Sequence, residues 1–224
     1  MPRRTKEEAE ATRESVLRAA LDLFSEKGYS RTTLNDIAKR IGMSRGAVYW
    51  HFVNKEALLA ALIEFAHNYK EQLVETQIPD IQTLADLRDA FVMYARVVAE
   101  DELIRKFEFF MHFQMEWSQE LLTETHKKLT EIRQSPLEEF KTCFENPQIA
   151  PLLKEGTDLD QLVVTLAAFW MGTCNMFLGG CPFVELSSAD EQATDGQWRL
   201  DLVQAIANGF DLIMNGVLKR ENDE

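Results

Sequence analysis

At 224 residues, with 46% apolar and 27% charged side chains, the chain has the balance of a globular protein and enough length to bury a substantial core. Its six Pro and ten Gly argue against an all-β or disordered chain, and three irregularly spaced Cys (Cys143, Cys174 and Cys181) give no disulfide or metal framework. The net charge of −13 hides an asymmetry: residues 1–60 hold 11 Lys/Arg against 8 Asp/Glu, for +3, leaving 13 basic and 29 acidic residues, or −16, in the rest. An acidic protein is a poor match for nucleic acid, but a basic lobe on an acidic body reopens that possibility, because binding follows the local field.

The basic start, Met1 to Lys6, leads directly into charged helical sequence with no apolar stretch, so no secretory signal and a cytoplasmic location are expected. The first helix is expected from Lys6 to Lys27, with Val16, Leu17, Ala20, Leu21, Leu23 and Phe24 at helical spacing and Gly28 as the stop. A second begins after Thr33, with Asp36 three residues on as in a capping box, and ends at Gly42. A third is capped by Ser44, and a fourth runs from after Asn54 to about Gln77, ahead of Pro79. Beyond it, longer and more acidic helices are expected near 81–100, 102–116, 118–144, 158–178 and 196–219, with Ser135-Pro136 as a candidate kink. Breaks fall at Pro147 and Pro151, at Gly179-Gly180 with Pro182, and through Ser187–Gly196. The fold class is therefore all-α: an N-terminal three-helix helix-turn-helix domain, residues 1–58, and a C-terminal helical ligand-binding and dimerisation domain, residues 59–224.

Residues 33–52 have helix-turn-helix geometry. Ile37 and Ile41 share one face, Ala38 is small where a second helix would cross, and Gly42 suits a left-handed turn. In the next helix Val48 and Phe52 turn toward that core, which leaves Gly46, Tyr49 and Trp50 toward solvent, flanked by Arg45, Ala47 and His51. Arg45, at the N-terminus, can reach a base edge such as guanine O6/N7, while Ser44 and the free N–H groups of the first turn can take a phosphate oxygen. Tyr49, His51 and Lys55 suit the phosphodiester backbone, as does Thr33. Short helices joined by Gly also occur in proteins that never touch DNA; the local positive charge and the exposed Tyr-Trp-His favour the DNA reading.

The run "TTLNDIAKRIGMSRGAVYWHFVNKEALLAAL" resembles the N-terminal region of TetR-family transcriptional repressors, and "RRTKEEAEATRESVLRAALDLFSEKGYSRTTL" resembles the first helix of the AcrR-like, drug-efflux-associated branch. The resemblance covers residues 3 to 63, and its most specific part is Gly46-x-x-Tyr49-Trp50-His51-Phe52-x-x-Lys55. It implies a homodimeric repressor with Thr33, Ser44, Arg45, Gly46, Ala47, Tyr49, Trp50, His51 and Lys55 at or near palindromic operator DNA, released by a bulky apolar or cationic small molecule.

In the acidic half, "KFEFFMHFQMEW" (106–117) is apolar nearly all round and must be covered on most sides. It is either a central core helix or one wall of a ligand cavity. The cavity reading takes Phe107, Phe110, Met111, Phe113 and Gln114, with Phe91 and Tyr94 from 81–100 and Trp170, Cys174 and Phe177 from 158–178. Residues 161–184 carry no charge and invite a membrane-spanning reading, but Thr165, Thr173 and Asn175 interrupt the run and no basic flank anchors it. Helices near 158–178 and 196–219, with Gly209 and Gly216 allowing close approach, would instead form a dimer bundle or pack within one chain.

There is no phosphate loop, nucleophile elbow, CxxC or HExxH, and His51, His67, His112 and His126 lack metal-ligand spacing, so no enzyme, cofactor or metal is expected. The alternative to a repressor is a helical ligand-binding or protein-interaction bundle without specific DNA binding.

Overall fold

The computed structural model describes residues 6–77, 80–132, 135–180, 184–186 and 198–219. Pro79, Cys181, Pro182, the basic residues at the start and the Ser187–Gly196 break lie outside the described residues. Ten α-helices are described: α1 (Lys6–Lys27), α2 (Leu34–Arg40), α3 (Arg45–His51), α4 (Lys55–Glu75), α5 (Leu84–Glu100), α6 (Glu102–Phe109), α7 (Gln119–Ile132), α8 (Pro136–Phe144), α9 (Leu159–Gly179) and α10 (Leu202–Val217). A π-helical turn, Phe110–Gln114, continues α6, and a short 3-10 turn spans Ala150–Leu152.

The chain forms two compact units. Among the described residues, one holds 6–69 with 106–132, and the other holds 70–105 with 135–219. Helix α4 thus supplies Lys55–Tyr69 to the first unit and Lys70–Glu75 to the second.

In the first unit, α1 buries Val16, Leu17, Ala20, Leu21 and Phe24 on one stripe, against α2 and the π-turn. Phe110 of that turn is fully buried and stacks on Phe24 at 5.2 Å between centroids. Lys106 donates to Asp22 at 2.8 Å and Ser30 to Glu116 at 2.5 Å, so polar contacts flank the apolar seam. Within the segment 106–117, Phe107, Phe110 and Met115 are buried, whereas Phe113 and Trp117 are exposed.

The second unit is built on α10, which packs on α5 and α9, with α8 also on α9. Leu87, Phe144, Ile149, Leu162, Val163, Leu166, Phe210 and Met214 form its core. The Arg88 guanidinium grips Asp211 through two bonds of 2.6 and 2.8 Å, fixing α5 against α10. Gly209 sits against the ring of Phe169 with no room for a methyl group between them. The small residue expected to let subunits approach is therefore used inside the chain, between α9 and α10.

Two differences from the expected elements have local causes. The helix expected at 118–144 is two helices, because Pro136 occupies the first turn of α8, where its missing N–H costs nothing. The helix expected from 196 starts at Leu202, capped by Asp201, whose side chain accepts from the Gln204 N–H at 3.0 Å. Just before that cap, Trp198–Leu200 (β2) pairs in parallel with Val184–Leu186 (β1), a short element in an otherwise helical protein.

Among the described residues, α9 alone is long and apolar enough to cross a membrane by length and composition. One of its faces buries Leu162, Val163, Leu166 and Cys174 in the second unit's core, while Val164, Met171 and Met176 are exposed.

Candidate nucleic-acid interface

The ends of α2 and α3 are set by short polar side chains. Thr33 caps α2: its Oγ1 accepts from the Asp36 N–H at 3.2 Å, and the Thr33 N–H and hydroxyl donate to the Asp36 carboxylate at 3.0 and 2.7 Å. These bonds, the hydroxyl's first, hold the Asp36 carboxyl below its ordinary pKa. Gly42, at φ 66°, supplies the left-handed turn between the helices. Ser44 caps α3 by accepting from the Ala47 N–H at 3.2 Å. Behind α2, Arg40 grips Glu26 of α1 through bonds of 3.0 and 2.6 Å.

Within α3 only Val48 is buried, with Phe52 buried just after it. The opposite face presents Ser44, Arg45, Gly46, Tyr49 and Trp50 to solvent, with Trp50 73% exposed. Ala47 and His51 flank this face, half-buried. The Arg45 guanidinium lies 4.9 Å from the Tyr49 ring centroid and donates to its hydroxyl at 3.1 Å. Among the described residues, nothing beyond α3's own nearby backbone lies within 4 Å of where a Gly46 Cβ would sit, so the glycine leaves open ground for a close-approaching backbone. A short helix with buried anchors on one side, and a cation, two aromatics and a glycine on the other, is equipped to enter a major groove.

Thr33 and Lys55, both expected at the DNA backbone, also have partners within the chain. Thr33 is exposed, but its N–H and hydroxyl both donate to Asp36. Lys55 points its Nζ at the carbonyl oxygens of Tyr29, Ser30 and Thr32, at 2.9, 3.4 and 3.2 Å, and lies 4.2 Å from the Tyr29 ring centroid. Burial, the dominant influence, lowers its pKa. The Tyr29 hydroxyl itself is buried and has no hydrogen-bond partner among the described residues. Sequence reasoning missed Tyr29, Ser30, Thr32 and Glu116, because carbonyls that meet Lys55 from more than twenty positions upstream leave no local pattern.

The ten residues expected to line a ligand cavity divide between the units. Phe107, Phe110, Met111, Phe113 and Gln114 belong to the first; Phe91, Tyr94, Trp170, Cys174 and Phe177 belong to the second. Phe107 and Phe110 are buried there, whereas Phe113 is exposed. In the second unit Phe91 is the hub of an aromatic cluster, 5.2 Å from Trp170, 5.8 Å from Phe140 and 5.3 Å from Phe210. Cys174 is buried, and Phe177 is half-buried. Burial pushes the Tyr94 hydroxyl up to about 12, with the carboxylates of Glu71, Glu75 and Glu139 adding to the rise. Burial also raises Glu71, reinforced by Glu139 and Glu75. A separate open groove of about 390 Å³, lined by Lys154, Thr157, Gln161, Thr165, Ile213 and Gly216 among others, includes none of the ten.

Residues 16–62 match the family model described as bacterial regulatory proteins, tetR family. The chain is 32% identical over 152 residues to the HTH-type transcriptional regulator TtgR of Pseudomonas putida, covering 67% of this chain and 69% of TtgR. Among solved structures it resembles NalD, the secondary repressor of the MexAB-OprM multidrug efflux pump in Pseudomonas aeruginosa, with TM-score 0.72 and 26% identity over 96% of this chain and 99% of that one. It also resembles SmeT, the repressor of the Stenotrophomonas maltophilia multidrug efflux pump SmeDEF, in complex with triclosan (TM-score 0.71, 27% identity, covering 94% and 93%).

Proposed function

The chain belongs to the TetR family of bacterial regulatory proteins, and from that membership we propose that it represses a multidrug-efflux or related transport operon and leaves its operator when a bulky apolar or cationic small molecule binds. It is a ligand-responsive, DNA-binding regulator of the AcrR-like kind and not an enzyme. It acts as a homodimer on double-stranded operator DNA. The observation that carries the DNA reading is the outward face of α3, where Arg45, Gly46, Tyr49 and Trp50 are exposed over the buried Val48 and Phe52.

In this reading residues 1–58 are the DNA-binding domain and residues 59–224 bind ligand and dimerise. Arg45 reads a base edge; Ser44, Gly46, Ala47, Tyr49, Trp50, His51 and Lys55 lie along the groove and backbone, with Thr33 at its margin. The palindrome's half-sites are spaced by about one helical turn, near 34–36 Å, or a multiple of it. The exposed apolar side chains of α9, Val164, Met171 and Met176, with Leu212 of α10, support dimerisation through these two helices. The Phe91–Trp170 cluster and the carboxylates around Tyr94 support an aromatic, cationic inducer in the second unit. A cytoplasmic location goes with this reading, since a DNA-binding regulator of this family meets its operator there. An inducer that weakens operator binding about 100-fold must supply about 2.7 kcal/mol of coupling.

The test is a titration of the purified protein against the DNA upstream of its own gene, across a salt series. A tight, sequence-selective and steeply salt-dependent complex holding two subunits or a multiple supports the reading. Binding there and at randomly chosen operator-length intergenic fragments no better than to random duplex overturns it.

A further inference from the structure

Arg45 and Tyr49 stand about one helical turn apart on the outward face of α3. The Arg45 Nη2 donates to the Tyr49 hydroxyl at 3.1 Å, and the guanidinium carbon lies 4.9 Å from the ring centroid. Hydroxyl oxygen and ring face thus hold the same cation, one by a hydrogen bond and the other by cation–π attraction. Val48, directly before Tyr49, is fully buried and fixes the turn from which the ring projects. The bond to Tyr49 leaves the guanidinium able to read DNA. The group has more than one edge that presents a pair of N–H donors, and a single Nη2 proton belongs to at most one of them. Another edge stays open to take the O6 and N7 acceptors of guanine together. The Tyr49 hydroxyl, accepting from Arg45, keeps its own proton for a phosphate oxygen. α3 carries no carboxylate or carboxamide, the groups that pair with cytosine and adenine edges, so Arg45 with guanine is the bidentate base contact open to this helix.

We propose that Tyr49 is a positioning residue for base readout: it holds the Arg45 guanidinium in place before DNA arrives and so sharpens recognition of one guanine in each operator half-site. An unrestrained arginine loses its rotamer freedom on binding, whereas here the ring and hydroxyl have removed much of it beforehand. A tyrosine that met only the phosphate would act differently. Its loss would weaken every duplex alike, whichever base lay opposite Arg45.

This inference rests on the repressor reading, and its experiment separates the two. Duplexes of the DNA upstream of the protein's own gene carry 7-deazaguanine, which lacks the N7 acceptor, in place of one guanine at a time. For wild type, replacement of one guanine per half-site is expected to weaken binding about tenfold, and Arg45→Ala to abolish that difference. Tyr49→Phe, which keeps the ring, should shrink the difference to about fivefold, and Tyr49→Leu, which removes both holds, to about twofold. In the Arg45→Ala background the Tyr49 variants should change no base preference, since a positioning residue acts through the group it positions. The absence of any sensitive guanine, a full difference in Tyr49→Leu, or a Tyr49 effect on base preference that survives without Arg45 overturns the proposal. Nitrogen-15 relaxation at the Arg45 Nε of the free protein gives a readout without DNA. Arg45 is expected to be more ordered than Arg96, exposed on α5, and to become as mobile as Arg96 in Tyr49→Leu. Unchanged order in that variant overturns the hold. If wild type forms no selective complex, the repressor reading fails, and relaxation alone decides whether Tyr49 holds Arg45.

Discussion

Gly209 of α10 lies directly against the ring of Phe169 of α9, with no space for a β-carbon. Gly209→Ala is therefore expected to cost about 1–3 kcal/mol through overpacking, despite alanine's better helix propensity. At Gly216, further along α10, nothing among the described residues beyond the helix's own nearby backbone lies within 4 Å of where a Cβ would sit, so Gly216→Ala should gain about 0.5–1 kcal/mol. Urea denaturation at fixed protein concentration compares the two. Equal effects would mean that the Phe169 ring yields freely.

Arg45 and Gly46 separate reading from folding. Both are exposed, and the Arg45 side chain touches Tyr49 alone among the described residues that hydrogen-bond or ring contacts assign to it. Arg45→Ala should leave the melting temperature unchanged and lower discrimination between operator variants by about 1–3 kcal/mol. Gly46→Ala should fold normally yet weaken the operator complex, because the added methyl meets only DNA. Unchanged discrimination in the first case, or unchanged affinity in the second, would move the reading contacts elsewhere on α3.

Phe110 and Trp170, both expected to line a cavity, should part company. Phe110 is fully buried on Phe24, so Phe110→Ala is expected to cost about 3–5 kcal/mol and to depress operator binding and inducer response together. Trp170 lies at the edge of the Phe91 cluster and is half-buried. Trp170→Ala should reduce inducer response, measured as release of the operator complex, more than it reduces operator affinity. A proportional loss of both would make Trp170 a packing residue too.

The Tyr29 hydroxyl, buried and without a partner among the described residues, is a liability to folding. Tyr29→Phe keeps the ring beneath Lys55 and against Phe24, at 5.2 Å, and removes the unsatisfied group. It should raise stability by about 1 kcal/mol in chemical denaturation. A loss would reveal a partner for the hydroxyl in solution.

Acid should act on the helix starts. Thr33 lowers the Asp36 pKa, Thr83 lowers that of Asp86, and Arg88 lowers that of Asp211. A carboxyl with a depressed folded-state pKa contributes stability above its unfolded value, near 4, and loses it as pH falls through the folded value. Stability should therefore hold from neutral pH to about 4 and fall below it. The double variant Asp36→Asn, Asp86→Asn should show a shallower fall; an identical acid limb would assign it to other carboxylates.

These features were unequally legible in the sequence. Both ends of α1 and the starts of α2 and α3 were readable, because Thr33 with Asp36, Ser44 and Gly42 act within a few residues of themselves. The outward face of α3 followed from two anchors four residues apart, Val48 and Phe52. The π-turn at Phe110–Gln114 was not readable: in a segment apolar on every side, one extra residue per turn leaves the pattern unchanged. The engagements of Lys55 and Gly209 were also hidden, since each depends on a distant segment.

The single buried side chain of α3 bears on how such a protein diversifies. Because Val48 alone among its seven residues is buried, and Ala47 and His51 are half-buried beside it, Arg45, Gly46, Tyr49 and Trp50 can be exchanged with little cost to the fold. Duplicated copies of the gene can drift to new operators through changes confined to this short surface while the inducer-sensing body stays as it was. Recognition and sensing are thus free to evolve on separate clocks, and a transplant of the outward residues of α3 would be enough to redirect the protein to another promoter.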